Sequence, residues 1–138
     1  MVSADAPALY DELVARGYEL AGTLTTGGTS WRYTGGEILA VLESDEPWAL
    51  EAMARPTRAE SGLPVVALGY LVLMKLAASR AQDLADVSRM LGIADPPTLA
   101  TVREIVRRFR PEDSADLESL IALGRLELEM PERVPDGQ

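Results

Sequence analysis

The chain has 138 residues, 47% of them hydrophobic and 25% charged, the balance of a folded protein rather than a disordered one. It contains neither cysteine nor histidine, which excludes a thiolate nucleophile, a disulfide, a serine–histidine triad, an imidazole shuttle and the usual Cys/His zinc site. With 22 acids against 13 bases the formal charge is −9, which argues against nucleic acid as a partner, because that affinity comes from Lys and Arg neutralising phosphates.

Residues 1–130 are expected to form one domain, with 131–138 as a flexible tail. Residues 1–22 show no basic start followed by an apolar stretch, so neither a secretory signal nor a transit peptide is expected, and the cytoplasm is the expected location. Leu9, Tyr10, Leu13 and Val14 stand at core spacing in a helix over 7–16, which Gly17 ends. Strands over 18–25, 30–33 and 37–43 follow, separated by turns at Thr26-Gly27-Gly28-Thr29 and Gly35-Gly36, and predict an antiparallel meander. Ser44 is the expected cap of a second helix, with Asp45, Glu46 and Pro47 in its first turn and Trp48, Ala49, Ala52 and Met53 facing inward. A polar loop over 55–62 leads to a short strand, Leu63-Pro64-Val65-Val66.

A helix then begins near Ala67, with Leu68, Leu71, Val72, Met74, Lys75 and Ala78 at i, i+3, i+4 spacing. This apolar run is shorter than the roughly 20 residues a membrane span requires, so it reads as core and no membrane partner is expected. Further helices are expected over 82–91, closed by Gly92, from the Asp95-Pro96-Pro97-Thr98 start to Arg108, and over 111–122, followed by a short acidic turn at 125–130. A strand-rich front and a helix-rich back predict an α+β fold, a small antiparallel or mixed sheet with a helical C-terminal half.

The most specific stretch is 63–92. Leu63-Pro64, an apolar helix, Lys75-Leu76-Ala77, Arg80 and Asp83-Leu84-Ala85-Asp86-Val87 stand there in an order that resembles the second half of bacterial nucleotidyltransferase-like proteins related to abortive-infection toxins. Arg16-Gly17-Tyr18, the strand over 37–43 and Glu46-Pro47-Trp48 extend the resemblance to about two thirds of the chain. It implies a truncated nucleotidyltransferase-like fold. In an active member it also implies Mg²⁺ and a nucleoside triphosphate, since the reaction uses carboxylates to hold the metal against the phosphates.

The family pattern has a Gly-Gly or Gly-Ser turn and helix, two Asp residues one apart on a strand, and a third Asp on the next central strand. This sequence departs from it. No Asp-x-Asp precedes the meander, Asp5 lies in a polar leader, Gly27-Gly28 falls in a hairpin, and the third position falls on or beside Ala40, whose methyl group binds no metal. Glu37, Glu43 and Asp45 read more simply as solvent-facing ends of a half-buried strand and the start of a helix. The resemblance therefore assigns no catalytic residue, no metal ligand and no resident cofactor.

Lys75, Arg80, Asp83 and Asp86 do match the family's helical motif, and they are the candidate nucleotide-binding residues, Lys75 facing a phosphate and Asp86 orienting it. The structural alternative is stronger: the two acids pair with Arg80, Arg89 or Lys75 across the helix bend and serve N–H groups at the second helix's start. Arg103, Arg107, Arg108 and Arg110 read as a solvated helix face beside Glu104, Glu112 and Asp113. Trp31-Arg32-Tyr33 could stack a base, but Trp31 reads better as packing.

The expected function is a degenerate nucleotidyltransferase-like protein, a non-catalytic binding or regulatory module beside a toxin–antitoxin partner or as a homodimer. One alternative is a nucleotidyltransferase completed by a separate chain that supplies the paired Asp; another is a structural domain without ligand. A dimer contact is expected at the meander over 31–42 or at the apolar stretch over 117–128, with Leu120, Ile121, Leu123, Leu126 and Leu128.

Overall fold

The computed structural model describes residues 6–24 and 27–130. Among them the protein is α+β, with six α-helices, a three-stranded antiparallel sheet and a two-stranded one. Contacts cluster into two compact units, divided between Val65 and Val66. The tail expected over 131–138, Asp5 and Thr26 of the first turn lie outside the described residues.

In the first unit, α1 (Ala6–Ala15) stops where Gly17 takes a φ of +91°, a left-handed conformation that costs glycine little. The meander follows as β1 (Tyr18–Thr23), β2 (Gly28–Tyr33) and β3 (Ile38–Leu42), in that spatial order. Leu20, Trp31 and Leu39 stand opposite one another across the three strands. Because directly paired residues share a face, this register turns Trp31 toward the same side as Val41. Trp31, Val41 and Leu13 of α1 are buried together, with Leu9, Tyr10 and Tyr18 against them. The indole Nε1 donates to Thr29 Oγ1 at 2.8 Å, and its ring lies 5.4 Å from that of Tyr10. Val14, expected inward, is 62% exposed: the buried stripe runs through Ala6 and Leu13, and Val14 stands about 100° round the helix from Leu13.

The start of α2 (Pro47–Ala54) corrects the expected Ser44 cap. Glu46 holds the N-cap position without a side-chain hydrogen bond, and Ser44 Oγ accepts from the Glu46 backbone N–H at 3.2 Å. Pro47 sets this boundary, since the residue before a proline is pushed to extended backbone, and Glu46 has φ −61° and ψ 145°. Asp45 and Glu46 therefore precede the first turn. Trp48, Ala49 and Ala52 are buried, but Met53, expected beside them, lies off that stripe and is half-exposed. The expected loop over 55–62 contains β4 (Thr57–Arg58), which pairs antiparallel with β5 (Pro64–Val65).

The second unit is helical: α3 (Leu68–Ala78), α4 (Ala81–Gly92), α5 (Pro96–Phe109) and α6 (Ser114–Glu129), the last preceded by a 3-10 turn over Pro111–Asp113. Its core holds Val72, Leu73, Val87, Leu91, Leu99, Val102, Val106 and Leu117, each almost wholly buried. The inward face of α3 differs from the expected one. Val72, Leu73 and Leu76 are buried while Leu68, Leu71, Met74 and Ala78 are only half-buried, because a helix apolar nearly all round does not select its face by period alone. Asp95 caps α5 by accepting from the Thr98 N–H at 2.8 Å, ahead of the Pro96-Pro97 start.

The expected break after Ala122 and acidic turn over 125–130 are replaced by a continuous α6. Gly124 sits inside it on the buried face with Leu117 and Ile121. Mid-helix glycine costs about 1 kcal/mol, but here it admits the backbone of α4: an added Cβ would stand 2.0 Å from the Ser88 carbonyl oxygen and 3.0 Å from Gly92 Cα. Close packing of α4 on α6 offsets that cost.

Candidate functional site

The sequence candidates converge at the bend between α3 and α4. Ser79 ends α3 in a left-handed conformation, φ 54°, and its hydroxyl donates to the Leu76 carbonyl at 2.5 Å. Arg80 then opens α4 with extended backbone. This two-residue turn brings the last turn of α3, which carries Lys75, beside the first turns of α4, which carry Asp83 and Asp86.

Lys75 Nζ donates to Asp86 Oδ2 at 2.9 Å and stands 3.6 Å from Asp83 Oδ1. Arg80 grips Asp83 with two nitrogens, Nε to Oδ2 at 2.6 Å and a terminal nitrogen to Oδ1 at 3.3 Å. Gln82 Nε2 donates to Asp86 Oδ1 at 2.8 Å, and Arg89 lies 3.6 Å from that oxygen. Every oxygen of the two carboxylates thus faces a donor from the same chain. Asp83 is buried, Lys75 and Asp86 are partly buried, and Arg80 and Arg89 reach solvent. Asp86 bonds side chains rather than the N–H groups that begin α4, which corrects part of the structural expectation. Gln82 joins the cluster outside the family motif, and its i, i+4 spacing to Asp86 is the sequence signal that marks it.

The electrostatics follow from these contacts. The hydrogen bond from Arg80 holds the Asp83 carboxyl below the ordinary carboxylate range, with the nearby Arg80 and Lys75 charges acting the same way against partial burial. Lys75 does the same for Asp86 through its hydrogen bond, assisted by Gln82. Carboxylates so stabilised are weak bases.

The remaining candidates do not gather. Ala40 lies in β3 opposite Ser30, and Trp31 is packing, not an exposed stacking platform. Among the described residues no group of three or more acids could hold a metal ion. The arginines of α5 and its C-cap are engaged: Arg103 Nε donates to Glu118 at 2.6 Å, Arg107 pairs with Glu104, the C-cap Arg110 pairs with Asp113, and Arg108 lies over the Phe109 ring. No described helix is long and apolar enough to cross a membrane.

No family model matches the chain, and neither does any curated protein or solved structure.

Proposed function

We propose that the chain is a non-catalytic binding or regulatory module, a degenerate relative of nucleotidyltransferase-like proteins that acts in the cytoplasm on a protein partner. One observation carries this reading: Lys75, Arg80, Asp83 and Asp86, the residues that would serve a nucleotide, bond one another across the α3–α4 bend. A phosphate arriving at Lys75 competes with two carboxylates already in place. A magnesium ion arriving at those carboxylates meets oxygens already facing cations or Gln82. The cluster holds α3 to α4, and the resemblance places the expected third acid on or beside Ala40, whose methyl group binds no metal.

The test is incubation with labelled nucleoside triphosphates, Mg²⁺ and mixed RNA and protein acceptors. No incorporation is expected, and label above a heat-killed control would overturn the reading. Asp86→Ala gives a second measure: it is expected to lower the denaturant midpoint. An unchanged midpoint with lost triphosphate binding, measured by equilibrium dialysis, would return the cluster to a nucleotide site.

A further inference from the structure

We propose that the solvent face of α6 docks a basic amphipathic helix of a partner protein. The inference rests on the binding-module reading and names the chemistry of that module's partner. The face is set by the anchoring of α6: Leu117, Ile121 and Gly124 point into the unit, and Gly124 sits against the α4 backbone. On the opposite side, at 100° per residue, fall Ala115, Ser119, Ala122, Leu123 and Leu126, and Met130 follows directly after the last helical residue. Leu123 is 45% exposed, Leu126 56% and Met130 60%. Within the helical unit none of the three is buried by another described residue. Exposed apolar side chains gathered on one face in this way make the kind of patch that is often functional.

The charge beside this stripe decides the occupant. Asp116 and Glu127 border one side, and Glu129 lies on the other. These three form no ion pair among the described residues, whereas the neighbouring cations Arg103 and Arg110 are spent on Glu118 and Asp113. A second copy would bring one α6 cation, Arg125, to face the same acids, and like charges opposed across an interface are destabilising. A helix with leucines at i, i+3, i+4 and i+7 flanked by Lys or Arg fills the stripe and answers both acidic borders.

The experiment is fluorescence anisotropy of the full chain with three labelled peptides, each longer than the roughly 15 residues below which an isolated helix is marginal in water. One is a Leu/Lys amphipathic helix, the second replaces its lysines with Glu, and the third is a scramble of the first that destroys the apolar stripe. Binding is expected for the first alone, weakened at least tenfold by Leu126→Glu and restored toward the wild-type value in Leu126→Met. Circular dichroism should show both variants folded, since position 126 is exposed. Equal binding of the scramble would mean attraction by bulk charge and overturn the proposal, as would no binding of the first peptide. A dimer in light scattering that Leu126→Glu dissolves, without peptide binding, would assign the face to a second copy and overturn it too. Nucleotide incorporation would overturn the module reading in a separate assay, so the two failures are distinguishable.

Discussion

Gly124→Ala is expected to destabilise the protein even though alanine is the better helix former. The new Cβ would lie 2.0 Å from the Ser88 carbonyl oxygen and 2.9 Å from its carbon, where ordinary contact begins at 3.4 Å. Both are backbone atoms, so no rotamer change relieves the clash, and α4 and α6 must separate by more than an ångström. Overpacking of this kind costs about 1–3 kcal/mol or more, and the helix-propensity gain returns about 1 kcal/mol. With backbone as the obstacle the upper end applies, and a net loss of about 2 kcal/mol is expected. At a slope near 2 kcal/mol per molar urea, the midpoint falls by about 1 M. Gly22→Ala is the matched control: its Cβ meets nothing within 4 Å, and its stability should stay within about 0.5 kcal/mol of wild type. A Gly124→Ala midpoint at or above wild type, with Gly22→Ala unchanged, would refute the close-packing account of α6.

Ser88→Ala should raise stability by about 1 kcal/mol in the same melts, because the Ser88 hydroxyl is buried among the described residues without a hydrogen-bond partner; a loss would reveal a bond that the hydroxyl makes in solution. Trp31→Ala should cost about 3–5 kcal/mol, the range for emptying an aromatic from a core, with loss of near-ultraviolet circular dichroism; a small change would mean that the sheet core does not depend on the indole. Asp83 and Asp86 have folded-state pKa values below their ordinary range, while in the unfolded chain they titrate at about pH 4. Their stabilisation is therefore complete above that pH and is lost as pH falls through the lower folded values, so Asp86→Asn should flatten the acid limb of the urea-midpoint profile, and parallel limbs would count against the cluster. Arg103→Ala should change stability by less than about 1 kcal/mol, since its pair with Glu118 is solvent-screened; a larger loss would show that the guanidinium packs as well as pairs.

The order of elements and most boundaries are legible in the sequence because they depend on residues a few positions apart. Asp95 before two prolines starts α5, Gly17 stops α1, and alternating runs between glycine turns make the meander. The polar cluster was equally local: Asp83 and Asp86 share a helix face one turn apart, and Lys75 lies near the end of the preceding helix. Pro47 was visible too, yet its effect on Glu46 moved the helix start past Ser44.

Only the tertiary structure decided which face each apolar segment buries. The sequence of α3 is compatible with several inward stripes, and contact with α4 and α5 selects the one through Val72, Leu73 and Leu76. Gly124 reads locally as a weak point and becomes the place where α4 comes closest, because its missing side chain matters only when another backbone arrives. The same contact orients α6 and leaves Leu123, Leu126 and Met130 outward. Periodicity records that a residue is apolar; whether it meets core or water depends on neighbours distant in sequence, and that information exists only in the packed chain.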